Sequence, residues 1–236
     1  DACQFLSDNQ YFIFMSEKDG FRHVYRYRIN GSLDKQLTKG NYDVTQVSGF
    51  DEKNQVLYYQ SAETSPMQRD IYSVSLKGVK KKLTNEKGYH RAIFNSTFSY
   101  FADNFSSLQR PDKLTLCANN GSVIREMQNS DNMLQTWNSL HLPKKELFSF
   151  TTSENISLNG WILKPLNFDP NKKYPLLLIQ YSGPNSQMVL DKWDVDWEYY
   201  LAEKNMVVAC VDGRGTGARG VEFRKCTYEQ LGVLEA

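Results

Sequence analysis

Serine chemistry in an α/β enzyme needs the nucleophile on a tight strand-to-helix turn, G-x-S-x-G, because only small flanking residues permit that strained elbow. The 236-residue sequence holds no such pentapeptide. Its three histidines, His23, His90 and His141, are far apart, so no Ser-His-Asp triad can be drawn from these residues, and each histidine reads as a surface or packing residue. No His or Cys pair has ligand spacing for zinc, and neither a metal nor another cofactor is expected. Two loops carry more information. Tyr181-Ser-Gly-Pro-Asn-Ser-Gln187 follows an apolar run, where α/β folds gather ligands at the carboxyl ends of their strands, and the Tyr181 phenol can donate a hydrogen bond into a pocket there. Asp212-Gly-Arg-Gly-Thr-Gly217 follows the next apolar run at the same end, its glycines permitting positive φ and close backbone approach. It is not a nucleotide-binding G-x-G-x-x-G, since that loop follows the first strand of its unit and opens a helix. Arg214 reads as tying the loop to neighbouring carbonyls.

The elements that must position these loops form an α/β pattern. Tyr174-Pro-Leu-Leu-Leu-Ile-Gln180 is a continuous apolar run of the kind a fully buried central strand needs. In the stretch from Trp193 to Lys204, Trp193, Trp197, Tyr200 and Leu201 recur at spacings of three and four, which predicts one helix face, with Asn205 closing the helix. Met206 to Val211 is a second buried strand, and Cys210 within it a buried thiol. Strand, helix and strand imply a parallel pair with a right-handed crossover. Upstream, Glu146 to Thr152 and Leu158 to Lys164 read as an antiparallel hairpin turning at Ser153-Glu-Asn155, and Asn132 to Trp137 as a short helix that Leu142-Pro143 interrupts.

The first half repeats. Phe12-Ile-Phe-Met-Ser16, Leu57-Tyr-Tyr-Gln-Ser61 and Tyr100-Phe-Ala-Asp-Asn104 stand 45 and then 43 residues apart, a period suited to four-stranded propeller blades. Each precedes an alternating strand: Val24 to Tyr27, Ile71 to Val74, Leu114 to Leu116. Gln36-Leu-Thr38 and Lys82-Leu-Thr84 repeat 46 residues apart. The fold class is therefore mixed: C-terminal blades of a β-propeller over residues 1–138, about three of them, followed over 139–236 by the N-terminal part of an α/β-hydrolase domain. Three blades and one strand-helix-strand unit leave both parts open, so the isolated chain is expected to aggregate or to depend on further sequence.

A net charge of +1 without charged blocks gives no electrostatic footprint for nucleic acid. No stretch approaches the roughly 18 apolar residues of a membrane span, and the chain is expected to be soluble. Cys3 and Cys226 are left open between exposed thiols and pairing elsewhere. Of five N-x-S/T triplets, at Asn30, Asn95, Asn104, Asn120 and Asn155, two are Asn-Gly-Ser and read as β-turns.

Ser16-Glu-Lys-Asp-Gly20, Gln36-Leu-Thr-Lys-Gly40, Tyr72-Ser-Val-Ser-Leu76, Tyr174-Pro-Leu-Leu-Leu178, Tyr181-Ser-Gly-Pro184, Ser186-Gln187 and Asp212-Gly-Arg-Gly-Thr-Gly217 span nearly the whole chain. At these residues it resembles the dipeptidyl peptidase IV branch of the prolyl oligopeptidase family of serine peptidases. The resemblance implies an eight-bladed propeller covering an α/β-hydrolase domain, and release of dipeptides from a free N-terminus with Pro or Ala at the second position. It also implies peptide substrates, a homodimer as the full-length protein, and a periplasmic or exported location. Tyr181 matches the family tyrosine whose hydroxyl shares the oxyanion hole. The family's Ser, Asp and His fall after Ala236, and its paired glutamates fall before this part of the propeller, so the fragment alone is expected to be inactive. The competing expectation is a non-catalytic propeller scaffold or binding protein whose hydrolase-like domain lacks the nucleophile.

Overall fold

Leu57, Tyr58 and Tyr59 point alternately to opposite faces of one strand, and all three are buried, because the sheet they belong to has a neighbour on each side. In the computed structural model, which describes residues 3–181 and 183–235, the first half of the chain forms three four-stranded antiparallel meanders. The first contains β1 (Gln4–Phe5), β2 (Tyr11–Ser16), β3 (His23–Arg28) and β4 (Leu33–Gln36). The second contains β5 (Val44–Asp51), β6 (Val56–Ser61), β7 (Asp70–Ser75) and β8 (Lys80–Lys82). The third contains β9 (Tyr89–Phe94), β10 (Tyr100–Ser107), β11 (Arg110–Ala118) and β12 (Val123–Gln128). Leu57 and Tyr59 pack with Ile13, Val24 and Val44 against the first sheet. Tyr58 packs with Ile71, Phe101 and Cys117 against the third. Sheets stacked face to face in chain order form a propeller-like array, with each repeat one blade.

The Leu-Thr repeats have a structural reason. After β4 and β8 the chain folds back so that the amides of Leu37 and Leu83 reach the carbonyls of Val24 and Ile71, both at 2.8 Å. The Thr38 and Thr84 hydroxyls accept the amides of Val24 and Ile71 at 2.9 and 3.2 Å. The repeat therefore fills a core position and satisfies a backbone donor in two consecutive residues. Both Asn-Gly-Ser triplets are turns: Asn30 and Asn120 accept the amides of Ser32 and Ser122, and Gly31 and Gly121 have φ of 85° and 87°. The opening strands β1, β5 and β9 carry no comparable apolar run and are not visible as repeats.

His23 and His90 are buried within the blades, while His141 is exposed. The His90 ring has Nδ1 2.8 Å from Asp103 Oδ2 and Nε2 2.9 Å from the Glu86 carbonyl oxygen. Both neighbours are acceptors, so only the imidazolium satisfies both. Burial opposes that charge, but the Asp103 hydrogen bond and charge, aided by the Glu86 carbonyl, outweigh it and raise the His90 pKa above its ordinary value. A raised folded-state pKa means stability fully present below the unfolded value near pH 6.5 and lost as pH rises through the folded value. Thermal melts of wild type and His90→Gln should therefore differ most at the acidic end of pH 5.5–8.5 and converge toward the alkaline end. A gap independent of pH would contradict the charged-ring assignment.

Beyond the third blade come α1 (Asp131–Ser139), β13 (Lys145–Thr151), β14 (Ser157–Leu163), β15 (Leu176–Ile179), α2 (Glu198–Glu203), β16 (Val207–Asp212) and α3 (Gly220–Lys225). The strands form one mixed sheet in the order β13-β14-β16-β15, with β13/β14 and β14/β16 antiparallel and β15/β16 parallel. The hairpin, the first helix and the strand-helix-strand unit match the expectations above.

Among the described residues β15 pairs with β16 alone, and Leu176 and Leu178 are 64% and 55% exposed. One expectation fails. The helix expected from Trp193 is shorter. Residues 191–196 stay outside the helix because their polar groups are engaged elsewhere: Asp191 with two blades, and the Asp194 carbonyl with Lys145. Trp193 packs edge-on against Trp137 at 5.1 Å, and the buried face of α2 is Glu198, Tyr199 and Ala202. Asn205 does close the helix, with φ of 62° and its amide on the Ala202 carbonyl.

Candidate active-site loops

Because β15 and β16 run parallel, the chain leaves both at the same edge of the sheet. Two backbone hydrogen bonds lace the loops that follow: the Asn185 amide to the Gly215 carbonyl and the Gly217 amide to the Ser186 carbonyl, both 2.9 Å. Gly215 has φ of 91°, and a Cβ on Gly217 would lie 3.0 Å from Asn185 Oδ1, so the glycines serve turning and close approach between loops. Asp212 is the pin beneath them. Its buried carboxylate accepts the Met188 amide at 2.8 Å and the Val189 amide at 3.1 Å. Burial raises its pKa, opposed by those two amides and by the charges of Arg219 and Arg69.

Tyr181 stands two residues past the last residue of β15. Its side chain is 65% exposed, and its phenol donates to no group among the described residues. The ring lies back over Gly183, where a Cβ would sit 2.9 Å from the phenolic oxygen. Ser186 holds the turn from inside, its hydroxyl donating to the Gly183 carbonyl at 2.5 Å and within 3.1 Å of the Tyr181 carbonyl. Arg214 donates from Nε to the Leu234 carbonyl at 3.2 Å and pairs with Glu154 at 2.9 Å, the loop-tying role expected of it. Cys210 is fully buried, and that burial pushes its thiol up to about 12, so it stays protonated and is no nucleophile.

The blades reach these loops directly. Asp43 accepts the Arg22 amide at 2.8 Å and the Gly220 amide at 2.9 Å, joining the first two blades to the start of α3. Glu17 receives the Arg224 guanidinium on both oxygens, and its pKa is lowered chiefly by that hydrogen bond. Arg69, nearly buried, donates to the Pro66 and Gln68 carbonyls and to Gln187 Oε1. A polar cavity of about 300 Å³ lies between blades and loops, bordered by Arg22, Asp43, Gln60, Arg69, Asn185 and Gln187. The structure thus brings together the two loops singled out by sequence, and keeps His23 and His90 in the blades. Arg69, Asp43 and Asp191 escaped the sequence reading, because a lone charged residue beside a turn carries no spacing signal.

Residues 1–112 match the family model for the dipeptidyl peptidase IV (DPP IV) N-terminal region. The structure superposes on the crystal structure of Porphyromonas gingivalis dipeptidyl peptidase 4 with a TM-score of 0.94 and 43% identity, over 99% of this chain and 33% of that one. The chain belongs to the dipeptidyl peptidase IV family. Family likeness extends to the dipeptidyl peptidase 4 of Trichophyton equinum, 30% identical over 98% of this chain and 31% of that protein. A putative dipeptidyl aminopeptidase IV from Bacteroides ovatus shares the fold, with a TM-score of 0.84 at 24% identity. This member of the dipeptidyl peptidase IV family spans about a third of the length of the relatives it matches. No helix among its described residues is long and apolar enough to cross a membrane.

Proposed function

We propose that the chain is part of a serine exopeptidase that removes dipeptides from free N-termini, preferring Pro or Ala at the second position. In this reading residues 1–138 are three blades of a β-propeller and 139–236 open an α/β-hydrolase domain. The Ser, Asp and His of the triad come from polypeptide outside residues 1–236. The full-length protein is an exported or periplasmic homodimer acting on peptides, and the chain alone is inactive. The observation that carries the reading is the exposed Tyr181 phenol at the carboxyl end of β15, on a loop laced to the glycine-rich loop after β16. A donor held in that place can stabilise the negative oxygen of a tetrahedral intermediate.

The serine-type assignment is tested by fluorophosphonate labelling of the full-length protein, followed by peptide mapping. One labelled serine is expected, outside residues 1–236. A label within those residues, or none anywhere, would overturn the assignment.

Gly183 gives a second test. Its backbone lies outside the left-handed region, so alanine is tolerated conformationally, yet the added methyl meets the phenolic end of Tyr181. Gly183→Ala in the full-length protein should lower kcat by about 10- to 100-fold through displacement of the donor, with little change in melting temperature. Unchanged kcat would show that the phenol's place does not matter.

A further inference from the structure

The segment that continues from the Tyr181 loop is gripped from two sides. On the sheet side, Asp212 takes the amides of residues 188 and 189, and Val189 is fully buried. On the blade side, Gln187 lies between Arg69, which donates to its Oε1, and the Pro66 carbonyl, which accepts from its Nε2 at 2.6 Å. Four residues later, Asp191 makes three hydrogen bonds to two blades. Its amide donates to the Met67 carbonyl at 2.8 Å. Its Oδ2 accepts from Gln68 Nε2 and its Oδ1 from the Leu108 amide, both at 3.1 Å. Met67 and Gln68 lie in the β6–β7 connection of the second blade, and Leu108 in the β10–β11 turn of the third. One carboxylate thus divides its two oxygens between adjacent blades while its own backbone is bonded to one of them.

A three-point attachment fixes both position and orientation. Its effect passes along the 187–189 segment to Ser186, whose hydroxyl lies against the Gly183 and Tyr181 carbonyls. We propose that Asp191 is a positioning residue, through which the second and third blades set where the Tyr181 phenol stands. The proposal rests on the reading of Tyr181 as the oxyanion donor. A residue that only glued blades to sheet would change stability and leave the reaction rate of the folded protein unaltered.

The test is a double-mutant cycle in the full-length protein, measuring kcat and KM on an Ala-Pro chromogenic substrate for wild type, Asp191→Ala, Tyr181→Phe and the double variant. Asp191→Ala should lower kcat by about tenfold or more with KM little changed. The double variant should be no slower than Tyr181→Phe, because the positioning has nothing left to position. Asp191→Asn, which keeps one acceptor oxygen, should recover most of the rate. Wild-type kcat in Asp191→Ala, or losses that multiply in the double variant, would overturn the proposal. Wild-type kcat in Tyr181→Phe would instead remove the oxyanion reading, and the proposal with it. Should Asp191→Ala fail to fold, Gln68→Ala removes one of the three bonds from the blade side. It should give a smaller kcat loss that likewise vanishes in the Tyr181→Phe background, and a multiplicative loss there would again overturn the proposal.

Discussion

Lys145→Met should be among the most destabilising single substitutions in this part of the protein, by about 3–5 kcal/mol. Lys145 is almost wholly buried, yet its ammonium meets Glu198 Oε1 at 2.5 Å and the Asp194 carbonyl at 2.9 Å, and it lies 4.6 Å from the centre of the Trp161 ring. Glu198 is 4% exposed, on the inner face of α2. Removing the cation leaves a buried carboxylate uncompensated, and the Asp194 carbonyl loses its donor. Hydrogen exchange of the β13 and α2 amides in the full-length protein reads the effect locally. The reversal is the sharper part of the prediction. Replacing both partners by apolar residues, Lys145→Met with Glu198→Leu, should restore most of the lost protection, because the cost lies in the unpaired charge and not in the absence of the pair. Equal losses in the single and double variants would contradict this account.

Tyr181→Phe in the full-length protein should lower kcat by about 10²–10³, roughly 3–4 kcal/mol in the transition state, with KM little changed. The phenol has no partner among the described residues and the side chain is mostly exposed, so removing the hydroxyl leaves folding energetics almost untouched. The melting temperature should stay at the parent value. Near-normal kcat would remove Tyr181 from the reaction, and a large fall in melting temperature accompanying the rate loss would assign it a packing role.

The parts legible in the sequence were those with a local periodic signal. The aromatic runs at 12–16, 57–61 and 100–104 fall in β2, β6 and β10, and in β6, packed on both faces, consecutive positions from Leu57 to Ser61 are buried. The Leu-Thr repeats were visible because each does two structural jobs in two residues. Turns at Asn30-Gly31 and Asn120-Gly121 follow from the positive φ that glycine allows. What failed depends on tertiary partners. The tryptophan spacing at 193 and 197 imitated a helix face, whereas Trp193 is held in an irregular segment against Trp137. Of the site, the two loops and Tyr181 were legible. Asp212 appeared only as the first residue of a glycine-rich loop, and its role emerges from the two amides it accepts 23 and 24 residues upstream. Lys145, two residues after the proline that marked a break, is buried where α2 brings Glu198 to it.

The proposed function requires the full-length protein to release dipeptides from a free N-terminus. Incubating the full-length protein with the pentapeptide Ala-Pro-Gly-Leu-Phe and with its N-acetylated form, and identifying the products by mass spectrometry, tests it most directly. Ala-Pro and Gly-Leu-Phe are expected from the free peptide, with no cleavage of the acetylated one. Release of single amino acids, cleavage at another bond, or equal cleavage of both peptides would contradict it.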